Sequence, residues 1–197
     1  ILMKLWLGFW IISNHYRSPI DFTDKALDEA KTGLDKIYAL LERIEKEIGV
    51  APDQNIEPGN CWKRFSEAMD DDFNSARGIG ILFDTVRSMN RLLDQENNHV
   101  SPEIKKAAQS DHADILRIGS ILGILMEPPN VYFQRKQARV LEQQSIDPDV
   151  IDQMIAERNQ ARKTKNWTKA DQIRNQLADM NIVLEDRAEG TIWKISD

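Results

Sequence analysis

The sequence predicts a mainly α fold: a helical bundle followed by a small helix-turn-helix plus β-hairpin domain. Three observations carry that expectation. Apolar residues recur at steps of three and four along most of residues 1–128. The ends of these runs coincide with capping residues, prolines and glycines. After Asn181 the helical period gives way to two short β-rich runs with a glycine between them.

Each element follows in order. Residues 1–12 are apolar apart from Lys4, too short a run to span a bilayer and without a small-residue cleavage site after it. We read them as a core helix belonging to a longer protein, with Ser13 to Arg17 as its polar end. Thr23 is an N-cap for a helix starting near Asp24, whose stripe runs through Leu27, Ala30, Leu34, Ile37, Tyr38, Leu41, Ile44 and Ile48 to a stop at Gly49. Residues 51–59, with Pro52 and Pro58, form a loop. A short helix carrying Trp62, Phe65 and Met69 leads into the acidic turn at Asp70, Asp71 and Asp72. The next stripe holds Ile79, Leu82, Phe83, Val86, Met89 and Leu93. Ser101 and Pro102 then open a helix that carries Ile104 through Leu122 and Leu125 and stops before Pro128.

Residues 1–128 are therefore expected to be the bundle, 129–146 a polar connecting region and 147–197 the small second domain. In that domain Asp147 and Pro148 start a helix with Ile151, Met154 and Ile155 on its core face. A break at Asn166 and Trp167 precedes a second helix with Ala170, Ile173, Leu177 and Met180, closed by Asn181. Ile182–Asp186 and Thr191–Ile195 are the arms of the hairpin.

Composition limits what the chain can do. Its 29% charged and 41% hydrophobic residues describe a soluble globular protein. A net charge of -6 excludes coating of nucleic acid by bulk electrostatics, so any RNA contact needs a local basic patch. One cysteine, Cys61, excludes a disulfide framework and a multi-cysteine zinc site and fits a reducing, cytoplasmic setting. It reads as a small buried hydrophobe beside Trp62. His15, His99 and His112 show no metal-ligand spacing.

The chemistry concentrates in residues 156–175. Arg158, Arg162, Lys163, Lys165, Lys169 and Arg174 face only Glu157 and Asp171, a net +4 window inside an acidic chain. Trp167 sits among them. Cations hold phosphates and an aromatic face stacks an unpaired base, which suits single-stranded RNA. A solvated helical face whose tryptophan plugs an inter-helix gap would have the same composition. Asp171 likewise has two readings: the acid of a capping box on Thr168, or an acceptor for the two Watson–Crick donors of guanine with Arg162 donating to O6 or N7. Composition leaves both open.

Three stretches resemble the cysteinyl-tRNA synthetase family and together cover about residues 13–193. They are His15-Tyr16-Arg17-Ser18-Pro19, Met69-Asp70-Asp71-Asp72-Phe73-Asn74-Ser75, and Ala161-Arg162-Lys163-Thr164-Lys165-Asn166-Trp167 with Ile182-Val183-Leu184-Glu185-Asp186 and Gly190-Thr191-Ile192-Trp193. The resemblance implies a DALR-type helical domain packed along the inside corner of tRNA, then a domain that reads the GCA anticodon of cysteine tRNA. It places the anticodon contacts at Arg162, Trp167, Asp171 and Asp186. Asp186, at a strand end, would add a second base-reading carboxylate; without the family it reads equally as the start of a turn. The partner it implies is cysteine tRNA, with neither DNA nor a membrane. The family's catalytic Rossmann domain, with HIGH and KMSKS motifs, has no counterpart here. ATP and zinc are implied for that domain alone, so the chain is expected to bind no cofactor and to be inactive by itself. The alternative is a helical protein-interaction module without RNA binding. A sulfur-metabolic relative that joins cysteine to an amine would have little use for an Arg162, Trp167 and Asp171 set. Gly78 and Gly80, where better helix formers are usual, imply unusually close local packing.

Overall fold

The structure, a computed structural model, describes residues 2–49, 56–95, 100–187 and 190–195. The chain divides into two compact units, Ile1–Tyr132 and Phe133–Asp197. Among the described residues the fold is mainly α, eight helices and one two-stranded sheet.

The first unit contains α1 (Leu2–Ile12), α2 (Asp24–Ile48), α3 (Asn60–Asp70), α4 (Ser75–Gln95) and α5 (Pro102–Leu122). Local chemistry places several ends where the residues predict them. The Thr23 side chain accepts from the Ala26 amide, Gly49 closes α2 at φ 70°, and the Ser101 side chain accepts from Ile104 with Pro102 in the first turn. The α2 stripe is the spine of the core: Leu34, Ile37, Tyr38, Leu41 and Ile44 are fully buried. Each such aliphatic side chain contributes about 1.5–3 kcal/mol on leaving water. α1 is half buried rather than buried all round. Leu2, Trp6 and Phe9 face the core while Met3, Leu7 and Ile11 are exposed.

Two ends differ from expectation. Gly123, at φ 68°, stops α5 one residue after Leu122, so Leu125 lies beyond the helix, where it is still buried. The connecting region expected at 129–146 contains a helix, α6 (Pro129–Gln144), and the unit boundary falls inside it. Few apolar residues were needed. Tyr132 buries in the first unit, stacked on Tyr38 at 3.9 Å, and its hydroxyl donates to Asp35 Oδ1 at 2.7 Å. Leu141 buries in the second. Residues 51–55 of the loop expected at 51–59 lie outside the described residues.

Two of the sequence motifs meet in this unit. Asp72 and Phe73 both adopt left-handed backbone, at φ 59° and 51°. Asp72 Oδ1 accepts from the Tyr16 hydroxyl at 2.7 Å and from Arg17 at 2.9 Å, tying the segment after α1 to the turn before α4. His112 is fully buried on α5 beside Glu45, and burial lowers its pKa. Cys61 is buried, and desolvation pushes its thiol up to about 11, leaving it inert at neutral pH.

The two helical glycines of α4 separate. A Cβ at Gly78 would lie 2.9 Å from the ring of buried Phe65, so close packing requires glycine there. A Cβ at Gly80 meets nothing within 4 Å. Gly80→Ala is expected to raise stability by about 0.5–1 kcal/mol, and Gly78→Ala to lower it by about 1–3 kcal/mol. Denaturation midpoints shifting in opposite directions are the check. Equal shifts would contradict the packing account.

The second unit contains α7 (Pro148–Lys163), α8 (Trp167–Asp179) and an antiparallel hairpin of β1 (Ile182–Arg187) and β2 (Gly190–Ile195). Asp147 caps α7 by accepting from the Asp149 amide, and Asn181 follows α8 in left-handed backbone at φ 58°. Ile151, Ile155, Ile173, Leu177 and Ile182 form its core, with Leu184 and Trp193, opposite each other across the strands, packed against it. The turn residues 188–189 lie outside the described residues; Gly190, at φ 143°, opens β2. No helix among the described residues is long and apolar enough to cross a membrane.

Candidate nucleic-acid interface

The second unit contains all four residues singled out by sequence. α7 ends at Lys163, and Lys165 at φ 58° reverses the chain. Asn166 then starts α8 by accepting from the Lys169 amide at 3.2 Å. The cap is Asn166, not Thr168, which lies inside the helix. The capping-box reading of Asp171 therefore falls, because the N3 position of a helix capped by Asn166 is Lys169 and the acid sits two positions too late.

α8 buries Ala170, Ile173 and Leu177 against the core. Trp167, Asp171 and Arg174, spaced by four and three, share its outward side. Trp167 is 58% exposed, and Asp171 and Arg174 are exposed as well. The tryptophan does not plug a gap. It stands at the start of a helix with its ring available, one turn from an accessible carboxylate.

Arg162 and Asp186 are joined. Arg158 and Arg162, one turn apart on α7, both reach the Asp186 carboxylate at the end of β1. Arg158 donates from one terminal nitrogen to Oδ1 and from the other to Oδ2, each at 2.9 Å, a bidentate fork. Arg162 donates to Oδ2 at 2.5 Å, and the Thr191 hydroxyl, on the facing strand, donates to Oδ1 at 2.8 Å. The Arg158 fork is the largest cause that holds the Asp186 carboxyl well below the usual carboxylate range. Partial burial opposes it, and Thr191 and Arg162 add to it. Asp186 and, more weakly, Asp171 raise the Arg158 guanidinium in return, so Asp171 belongs to the same electrostatic cluster.

Two features of this network are not legible as a site in the sequence. Arg158 counts there only as one more charge of the basic island, yet its side chain is 8% exposed and serves the carboxylate rather than solvent. The island is thus less basic at its surface than its composition. Lys169 is also paired, to Glu157 at 3.4 Å. The spacing of Arg158 and Arg162 by four was a signal of a shared acceptor, but nothing local named Asp186 as that acceptor. Among the described residues no three of His, Cys, Asp and Glu gather as metal ligands would.

Comparison with known proteins matches two regions of the chain. Residues 64–126 match the DALR domain, and residues 148–193 match the cysteinyl-tRNA ligase anticodon binding domain. The chain is 37% identical over 198 residues to a cysteine–tRNA ligase of Geobacter sp. (strain M21), covering 96% of this chain and 40% of the relative. For the cysteine–tRNA ligase of Geotalea daltonii the identity is 38%, covering 96% and 42%, and for that of Thermodesulfovibrio yellowstonii it is 37%, covering 96% and 40%. The chain thus spans about two fifths of the length of the curated relatives it matches. A region matching the DALR domain and one matching the cysteinyl-tRNA ligase anticodon binding domain thus follow one another in this chain, the first within the helical unit and the second on the unit that carries the exposed tryptophan and carboxylate.

Proposed function

We propose that the second unit reads the anticodon loop of cysteine tRNA. Trp167 stacks an unpaired base on its open face. Asp171 accepts from N1–H and the exocyclic amine of guanine, and Arg162 supplies donors to O6 or N7. The observation that carries this reading is the 58% exposed indole one helical turn from an exposed acid. An acid there weakens attraction to phosphate. It serves an RNA surface as a base reader.

In this reading the first unit packs along the body of the tRNA, and the ligation of cysteine, with the ATP and zinc it would need, belongs to the part of the relatives that this chain does not span. The setting is the cytoplasm, and neither DNA nor a membrane is a partner. Acidic net charge keeps non-specific binding low, so selectivity rests on the bases.

The test is a fluorescence titration of the chain with the anticodon stem-loop of cysteine tRNA and with the same stem-loop carrying a permuted anticodon. The cognate loop is expected to bind at least tenfold tighter, as losing one or two base contacts costs about 1–3 kcal/mol each. Equal binding of the two would remove the base-reading claim.

A further inference from the structure

We propose that Arg158, whose side chain is largely buried, is a positioning residue for recognition: it fixes the Asp186 carboxylate so that Arg162 and Asp186 can part and each take a complementary base edge. The inference rests on the anticodon reading above and adds how the surface is held before RNA arrives.

An ionised carboxylate has about four lone-pair positions. Asp186 uses them on two donors from Arg158, one from Arg162 and one from Thr191. As it stands, it has none left for a base. To accept from one it must release a donor, and its donors differ in kind. The Arg158 side chain is 8% exposed and grips both oxygens; the Arg162 side chain is 43% exposed and grips one. Arg162 is therefore the partner that can leave.

Release of Arg162 does two things at once. It frees guanidinium donors for a base acceptor, and it opens a lone pair on Oδ2 for a base amine. The Arg158 fork meanwhile prevents the carboxylate from rotating or following the departing guanidinium, and Thr191 holds Oδ1 from the facing strand. A base offering both an acceptor and a donor replaces the lost ion pair. A base offering only one leaves a charged group unmatched in a partly desolvated place, and unmatched polar groups discriminate far more strongly than missing contacts do. The pre-formed pair thus raises selectivity by giving wrong bases something to break.

The experiment compares Arg158→Met and Arg158→Lys with the unsubstituted chain. Methionine keeps much of the buried stem but no donor. Lysine keeps the charge but not the fork, and it maintains the test should the methionine variant fold poorly. Two readouts are taken: the carbon-13 NMR titration of the Asp186 carboxyl, and the ratio of affinities for cognate and permuted stem-loops. In Arg158→Met the titration midpoint is expected to move up towards the ordinary carboxylate range and the affinity ratio to fall roughly tenfold. Arg158→Lys is expected to restore part of the midpoint shift but little of the ratio. An unmoved midpoint would show that Arg158 does not hold Asp186. A moved midpoint with an unchanged ratio would make Arg158 a structural residue only. Either outcome overturns the proposal. Equal affinity of the unsubstituted chain for both RNAs would sink the anticodon reading itself, and it shows before any substitution is made.

Discussion

Asp114→Ala is expected to lower the stability of the first unit by about 3–5 kcal/mol, the loss typical of leaving a buried ionic network without one partner. Asp114 is fully buried on α5, yet it acts on α3. That helix begins after Gly59, which has no side chain to cap it. Asp114 supplies the cap from 55 residues away: Oδ1 accepts from the Gly59 amide at 3.1 Å and Oδ2 from the Trp62 amide at 3.0 Å. It also accepts from Arg117 at 3.0 Å, whose guanidinium donates on to the Ile56 carbonyl and lies over the Trp62 ring. Removing the acid strands two amide donors and a cation. Urea unfolding followed by circular dichroism measures the effect, and a loss below 1 kcal/mol would mean the α3 amides find other partners.

A neighbouring acid supplies the opposite sign. Burial, and then the nearby Asp114 charge, pushes the Asp111 carboxyl up to about 6 from a reference of 3.8. A raised carboxyl binds its proton more tightly in the folded state. Stability therefore falls as pH rises from about 4 through 6 and stays reduced above that. Asp111→Asn should stabilise the unit by about 1–2 kcal/mol at pH 8, discounted for partial exposure, and leave it nearly unchanged at pH 3. A gain of the same size at both pH values would rule out the titration as its cause.

Trp167→Ala is expected to weaken binding of the cognate stem-loop by about 1–3 kcal/mol, or roughly five- to 150-fold, while changing stability by less than about 0.5 kcal/mol. The two parts of this expectation must hold together. An indole that is 58% exposed gives up little packing, and α8 keeps its Asn166 cap when the ring is removed. A stacked base, in contrast, loses its platform. Trp167→Phe should recover part of the affinity because a smaller ring still stacks. Unchanged RNA affinity in Trp167→Ala would exclude stacking. A large fall in melting temperature would make the ring a packing residue. Raising salt should weaken both forms in parallel, since the substitution removes no phosphate contact.

Much of the fold was legible because it is written locally. Thr23, Gly49, Ser101 with Pro102, Asp147 with Pro148, and Asn181 each act on a backbone amide or dihedral within a few residues, so reading the chain in order finds them. Local signals failed where two candidates competed. Thr168 has the form of a cap, but Asn166 reaches the amides first. Leu125 continues the apolar stripe, but Gly123 has already turned the chain. α6 escaped notice because its apolar residues serve two different units and never form one stripe.

By itself, then, the sequence determined every helix but α6, most of their ends and the hairpin, which depend on spacing along one chain segment, while the four candidate contacts came from resemblance to a family. The tertiary structure decided that Trp167 is open to solvent, that Asp186 is bound by Arg158 and Arg162, and that Asp114 caps a helix to which it does not belong. Exposure and long-range charge pairing follow from which faces two separately formed elements turn towards each other. That choice is made by packing the whole core and leaves no periodic trace in the residues that result from it.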